Sequence, residues 1–242
     1  ITGTGLFTLG GNVTVNYTGS GTGDASISCP LALGSNRTFT VANDGTSAAD
    51  LTLSGIVSTT NNLTKSGAGT MTMSAVNTYS GSTTVSAGTL HVTGSLSSSS
   101  SVSVASGAVL SGNGTAAGSV SLSGSMDPGA STNSIGTLTT GALTFNGGSS
   151  YTFDISNVAG TAGTNWDLLT SSGAITVSST SGSPTTIYLV GNPTGFTSCD
   201  SYTWKIAGGT SVVSFTASDF VVNTSSFTPS FAGVFTRSEE HT

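Results

Sequence analysis

The chain has 242 residues, with four Lys and Arg against ten Asp and Glu, so only 6% are charged and the formal net charge is −6. An ordinary globular domain carries about 25% charged residues. Four scattered cations cannot neutralise a run of phosphates, which excludes a nucleic-acid partner, and no polybasic segment exists to hold an anionic membrane surface. Yet 35% of the residues are hydrophobic and the mean hydropathy is +0.20. That is too apolar for a disordered chain and points to a folded protein with a nearly neutral surface.

No window repeats apolar residues at helical spacing for more than a turn. Short alternating runs appear instead, at 13–17, 39–41, 51–53, 71–73, 90–92, 102–104, 120–122 and 143–145. In each, Val, Leu, Ile, Met or Phe points one way and Thr, Ser or His the other, the period-2 signature of a half-buried strand. Between about 50 and 150 the runs are closely and evenly spaced, with corners of Ser-Gly, Ala-Gly or Thr-Gly. Antiparallel hairpins would call for Asn-Gly or Asp-Gly at nearly every junction. A parallel solenoid fits better: two or three short strands per coil, with coils stacked about 4.8 Å apart and Ser/Thr ladders outside.

From about Tyr151 the texture changes. Tyr151, Phe153, Trp166, Tyr188, Phe196, Tyr202, Trp204, Phe215, Phe220, Phe227, Phe231 and Phe235 are crowded together, and longer strands are expected at 185–190 and 202–206. Bulkier interiors suit wider coils or a closing cap. A binding module that presents surface Trp and Tyr is the alternative. The expected division is a β-solenoid over 1–150, C-terminal coils or cap continuous with it over 151–236, and a non-native tail over 237–242. That tail resembles the translation of a sequencing-library adapter, and a natural polar tail is the other reading. The chain shows no signal peptide and no apolar stretch of about 18 residues, and it reads as a fragment of a longer protein.

One stretch carries a family resemblance. Asn62 to Ser74 reads NLTKSGAGTMTMS, followed by Asn77-Thr78-Tyr79-Ser80-Gly81 and by Thr83 to Leu90 as TTVSAGTL. This resembles the autotransporter-associated β-strand repeat, L-x-K-x-G-x-G-T-L-x-L-S-x-x-N-T-Y-x-G-x-T-x-V-x-x-G-T-L. Met71 and Met73 stand for the usual leucines, a volume-conserving exchange. The core motif is 62–92, and the resemblance covers about 36–177 well and the rest of the chain loosely. The resemblance implies an all-β parallel β-helix from the passenger of a bacterial cell-surface or secreted protein. Its work would be architectural: a stalk that supports adhesion, with folding of its coils helping export. The expected partners are surface glycans or host and neighbouring cells, with head-to-tail or lateral self-association and no membrane insertion of this segment.

The residues also stand on their own chemistry. Gly67, Gly69, Gly81 and Gly88 suit tight corners. Asn77 is placed to cap a corner through its side-chain amide, and Tyr79 to cover a coil edge. Lys65 is expected to be exposed and solubilising, a ligand contact being the other reading. His91 alternates with Leu90 and Val92 and is expected outside; alone it makes neither a triad nor a metal site, and His241 lies in the suspect tail.

A carbohydrate-active β-helix enzyme is the competing class. Glycoside hydrolysis needs two carboxyl groups about 5 to 10 Å apart. Asp24, Asp44, Asp50, Asp127, Asp154, Asp167, Asp200 and Asp219 are scattered singly, mostly at corners where Asp is a good turn former. Asp154 and Asp167 are the best pair, read here as structural. Lys65, Lys205 and Arg37 are too far apart in sequence to serve a lyase. No catalytic residue, cofactor or metal ligand is expected. Cys29 and Cys199 have no metal-ligand spacing, and several coils are expected between them, which excludes a bridge within one chain.

Overall fold

Where apolar residues alternate with Thr and Ser, the chain forms strands of mostly two to five residues. Each strand is too short to bury much on its own, so its stability comes from the strand stacked on either side. The computed structural model describes residues 1–16, 24–45, 49–131, 133–198 and 200–229. Every ladder between strands among the described residues is parallel. The protein is a parallel β-helix.

Two nine-stranded sheets form two long faces. One runs through Val13–Val15, Arg37–Val41, Leu63–Ser66, Thr83–Val85, Val102–Val104, Val120–Leu122, Leu143–Asn146, Ile175–Ser178 and Val212–Val213. The other runs from Ala25–Ile27 through Thr70–Met73, Thr89–Val92, Val109–Gly112, Ser125–Pro128 and Ser150–Asp154 to Phe220–Phe227. Both cross residue 150 without a break. A third face is split into a three-stranded sheet ending at Val57–Ser58 and a five-stranded sheet beginning at Ser95–Leu96.

Register explains the core. Leu51, Met71, Leu90, Leu110, Met126 and Tyr151 stand in one inward column of the second face, each paired with the next coil. All are buried, as are Leu63, Met73, Val85 and Val92. Outside, hydroxyls ladder along the axis: Thr40 to Ser66 at 2.9 Å, Ser125 to Ser150 at 2.7 Å and Thr139 to Thr170 at 2.9 Å. Such ladders satisfy polar surface without charge.

The aromatic-rich end widens the coils. The coil that takes Leu143 to its partner Ile175 holds an excursion closed by an antiparallel bridge between Ile155 and Trp166. Tyr151, Phe153 and Trp166 are buried, and Phe145 meets Phe220 edge-on at 6.2 Å. The strand expected at 202–206 does not form. Tyr202 and Trp204 instead stack face to face at 5.7 Å, with Phe196 on Tyr202 at 5.3 Å, and only Ala207–Gly208 joins a ladder. The alternation that reads as a strand there serves an aromatic stack. Cys29 is buried, while Cys199, Phe231, Phe235 and the tail 237–242 lie outside the described residues.

Candidate functional site

Three groups of polar side chains stand out against the hydrophobic and hydroxyl background. The first is the corner at Gly67–Gly69. Gly67 has φ of 77°, and a Cβ there would lie 2.4 Å from the Val41 carbonyl oxygen. Gly88, with φ of 65°, sits on that corner in the next coil and would collide with Gly67 in the same way. Only glycine lets the two turns stack at this distance.

Lys65 belongs to this corner, and the expectation that it is exposed is overturned. Its position alternates with Leu63, so it pairs with inward Phe39 on one side and Val85 on the other, and its exposure is 0%. The ammonium donates to the carbonyls of Ser66 at 3.0 Å, Gly67 at 2.8 Å and Ala87 at 3.1 Å. It therefore ties its own corner to the corner of the following coil. Burial lowers its pKa to about 8, against a raising pull from the Asp50 carboxylate. Asp50, whose role the sequence did not reveal, caps the amide side of the corner. Its oxygens accept from Thr70 N at 2.6 Å and Asp44 N at 2.9 Å.

Asn77 and Tyr79 make the second group. Asn77 Oδ1 accepts from Val57 N at 2.9 Å, while its Nδ2 donates to Ala75 O and Ser95 O. Its own N–H also donates to Ser95 O. The side chain thus splices the two sheets of the third face, more than the corner cap expected. Tyr79 does not cover an edge. It is wholly inside, with its hydroxyl 2.6 Å from Thr83 Oγ1, which is 2.9 Å from Ser100 Oγ. Burial, partly opposed by hydrogen bonds to Thr83 and Ser100, raises its pKa.

The third group lies on and beside the outer side of the second face. Thr52, Thr72, His91, Ser111 and Asp127 form one column. His91 does point outward, but the expectation of exposure fails: it is 8% exposed. Its Nδ1 lies 2.8 Å from Ser111 Oγ, and a hydrogen bond to the Ala130 backbone closes over it, so burial lowers its pKa against that bond. A hollow of about 210 Å³ borders it between Thr72, Thr89 and Ala130.

Farther along, Asp127, Asp154 and Asp167 converge, each offering an oxygen within 4.8 Å of the others. Asp154 ends one strand and Asp167 precedes Leu168–Ser171, so the base of the excursion brings them side by side. Asp167 Oδ2 accepts from Asp154 N at 2.9 Å and its Oδ1 from Gly136 N at 2.8 Å. Asp127 comes from the preceding coil. The three are 9%, 5% and 0% exposed. Burial raises Asp127 to about 7, with the Asp154 charge adding to it. Burial also raises Asp154 to about 6 and Asp167 to about 8; contact with Asp167 restrains the first, and backbone N–H groups the second. The sequence named Asp154 and Asp167 as the best pair but left Asp127 at a turn, because only the stacking of coils reveals the third partner.

These features define a parallel β-helix tied at its corners by a small set of buried polar residues. Residues 63–92 match the family model described as passenger-associated-transport-repeat, so the chain carries that repeat and fits an autotransporter passenger repeat protein. No curated protein and no solved structure matches it. The match spans Lys65, the stacked Gly67 and Gly88 corners, Asn77 and Tyr79, the residues just described. Such a repeat points to a structural rather than a catalytic segment of an exported protein. No helix among the described residues is long and apolar enough to cross a membrane.

Proposed function

We propose that this segment is a non-enzymatic stalk in the passenger of a bacterial cell-surface or secreted protein, where it supports adhesion and export. The observation that carries the reading is the repeat itself. Residues 63–92 form one complete coil and the first two faces of the next, tied to each other by Lys65 and to the coil before by Asn77. A stack of coils satisfies its backbone coil by coil, so it is stiff, resists proteolysis and can grow from a folded end. Growth outside the cell would pull against backsliding, which is how folding of such a segment helps export. The hydroxyl faces suit contact with glycans or with a second surface.

The test is to place the segment between an export signal and an outer-membrane barrel and measure surface display on intact cells. Intact segment should reach the surface in a protease-resistant form, and Asn77→Ala should reduce both display and resistance. Equal display from a variant shown to be unfolded in solution would overturn the export role.

A carbohydrate-active enzyme is the second reading, favoured by the convergence of Asp127, Asp154 and Asp167. A glycosidase presents its carboxyl pair to the sugar, whereas these three are closed within the wall. That reading requires polysaccharide cleavage that Asp154→Ala abolishes.

A further inference from the structure

We propose that Asp127, Asp154 and Asp167 form a calcium site that rivets the coil holding the 155–166 excursion to the coil before it. This goes beyond the stalk reading and does not depend on it. The sequence reading expected no metal site, because the three residues share no motif and meet only through the stacking of coils.

Three observations point to a cation. First, any two oxygens bound to one calcium at roughly 2.3 to 2.6 Å can lie no more than about 5 Å apart, and one oxygen from each Asp lies within 4.8 Å of the others. Second, Asp127 Oδ1 and Asp154 Oδ2 are buried and have no hydrogen-bond partner, on side chains 9% and 5% exposed. Buried polar atoms are nearly always paired, and an orphaned carboxylate oxygen is among the costliest to leave bare. Third, no basic side chain among the described residues acts on the three; the charges felt by Asp127 and Asp167 are those of other carboxylates in the cluster. Asp167 is already oriented by two backbone N–H groups. Each of its oxygens keeps a lone pair for a second partner.

The donor set selects the ion. All-oxygen, carboxylate-rich ligation suits a hard cation and disfavours zinc, which takes nitrogen and sulfur. Magnesium holds its oxygens at about 2.0 to 2.1 Å and demands near-octahedral order, so three carboxylates fixed by separate stretches of backbone suit the larger, more tolerant calcium. Bound calcium would link the strand Ser125–Pro128 to the end of Ser150–Asp154 and to the start of Leu168–Ser171, joining neighbouring coils across the corner.

The experiment uses the whole 242-residue chain after chelator treatment. Isothermal titration with calcium chloride should give one calcium per chain, with affinity in the submillimolar-to-millimolar range of extracellular modules. Calcium at about 100-fold over its dissociation constant should raise the melting temperature by roughly 5 to 10 °C. Magnesium at the same concentration should do less. Asp154→Asn and Asp127→Asn keep the shape and remove a charge. Both should fold in chelator with a melting temperature at or above that of the parent, and neither should respond to calcium. A parent chain that takes up no calcium would overturn the proposal and leave protons as what neutralises the cluster. A full calcium response in either Asn variant, or an equal response to magnesium, would also overturn it. If a variant does not fold, the titration of the parent decides.

Discussion

Lys65 occupies a slot that Phe39 fills in the preceding coil and Val85 in the following one. Its four-carbon stem can line the core as those side chains do, while the ammonium turns to three corner carbonyls. Removing it should leave those acceptors short of a donor. Lys65→Met keeps the packing and loses the bonds, and its loss of about 1 to 3 kcal/mol is expected near pH 10, where the parent no longer bears the cost of a buried cation. The pH response is more specific. The pKa is about 8 in the folded chain against 10.5 ordinarily, so between those values the unfolded chain holds a proton that the folded chain has released. Stability therefore rises as pH climbs from about 8, and the cost of the buried cation is borne in full below that. The raised pKa of Tyr79 works the other way above pH 10, which bounds the window. Between pH 8 and 10 the urea midpoint of the parent should climb relative to that of Lys65→Met; parallel profiles would refute this account. The alternation of Leu63-Thr64-Lys65 already put Lys65 on the inner side. Its charge argued for the outside, and the period was the better guide.

Segments differ in how openly they declare themselves. Strands at Thr70–Met73, Thr89–Val92 and Val102–Val104 were legible because their inner residues are apolar and their outer ones hydroxyl. The two-residue strands Ser95–Leu96 and Thr115–Ala116 were not, since two residues carry no period. The carboxylate cluster was hidden for a related reason. The excursion makes its coil longer than those before it, so even spacing could not say which corners stack. Asn77 shows how the repeat bridges such a weak face, with one side chain acting as acceptor for Val57 and donor to Ala75 and Ser95. Asn77→Ala would strand the buried Val57 N–H, while Ala75 O and Ser95 O keep backbone donors, for a loss of about 1 to 3 kcal/mol. The check is chemical denaturation of the purified variant, with the larger part of the loss expected in the unfolding rate if the third face closes late. A change below about 0.5 kcal/mol would mean that backbone bonds such as Asn77 N to Ser95 O hold the splice alone.

Taken whole, the molecule is close to one-dimensional: each coil meets only its neighbours, so stability is a sum of coil and interface contributions. The contributions are unequal. Val57, Leu63, Met71, Val85, Leu90, Leu110, Leu122, Leu138 and Leu143 are completely enclosed, a continuous interior through the middle coils. At the first coil Leu6 and Phe7 are exposed, and toward the other end so are Val213 and Val221. Hydrophobic burial dominates the free energy of such stacks, so opening should cost least at the ends and most in the middle. Hydrogen exchange should rank accordingly. The ladder amides of Leu63, Thr83, Val102 and Val120, each bonded to a carbonyl of the next coil, should exchange slowest. Phe7 and Ile175, bonded in the same way nearer the ends, should exchange faster, in an order that follows distance from the centre. A fold that opens coil by coil gives such a gradient. A single exchange rate across all these amides would mean that the stack opens only as one unit, and coil-by-coil growth during export would lose its physical basis.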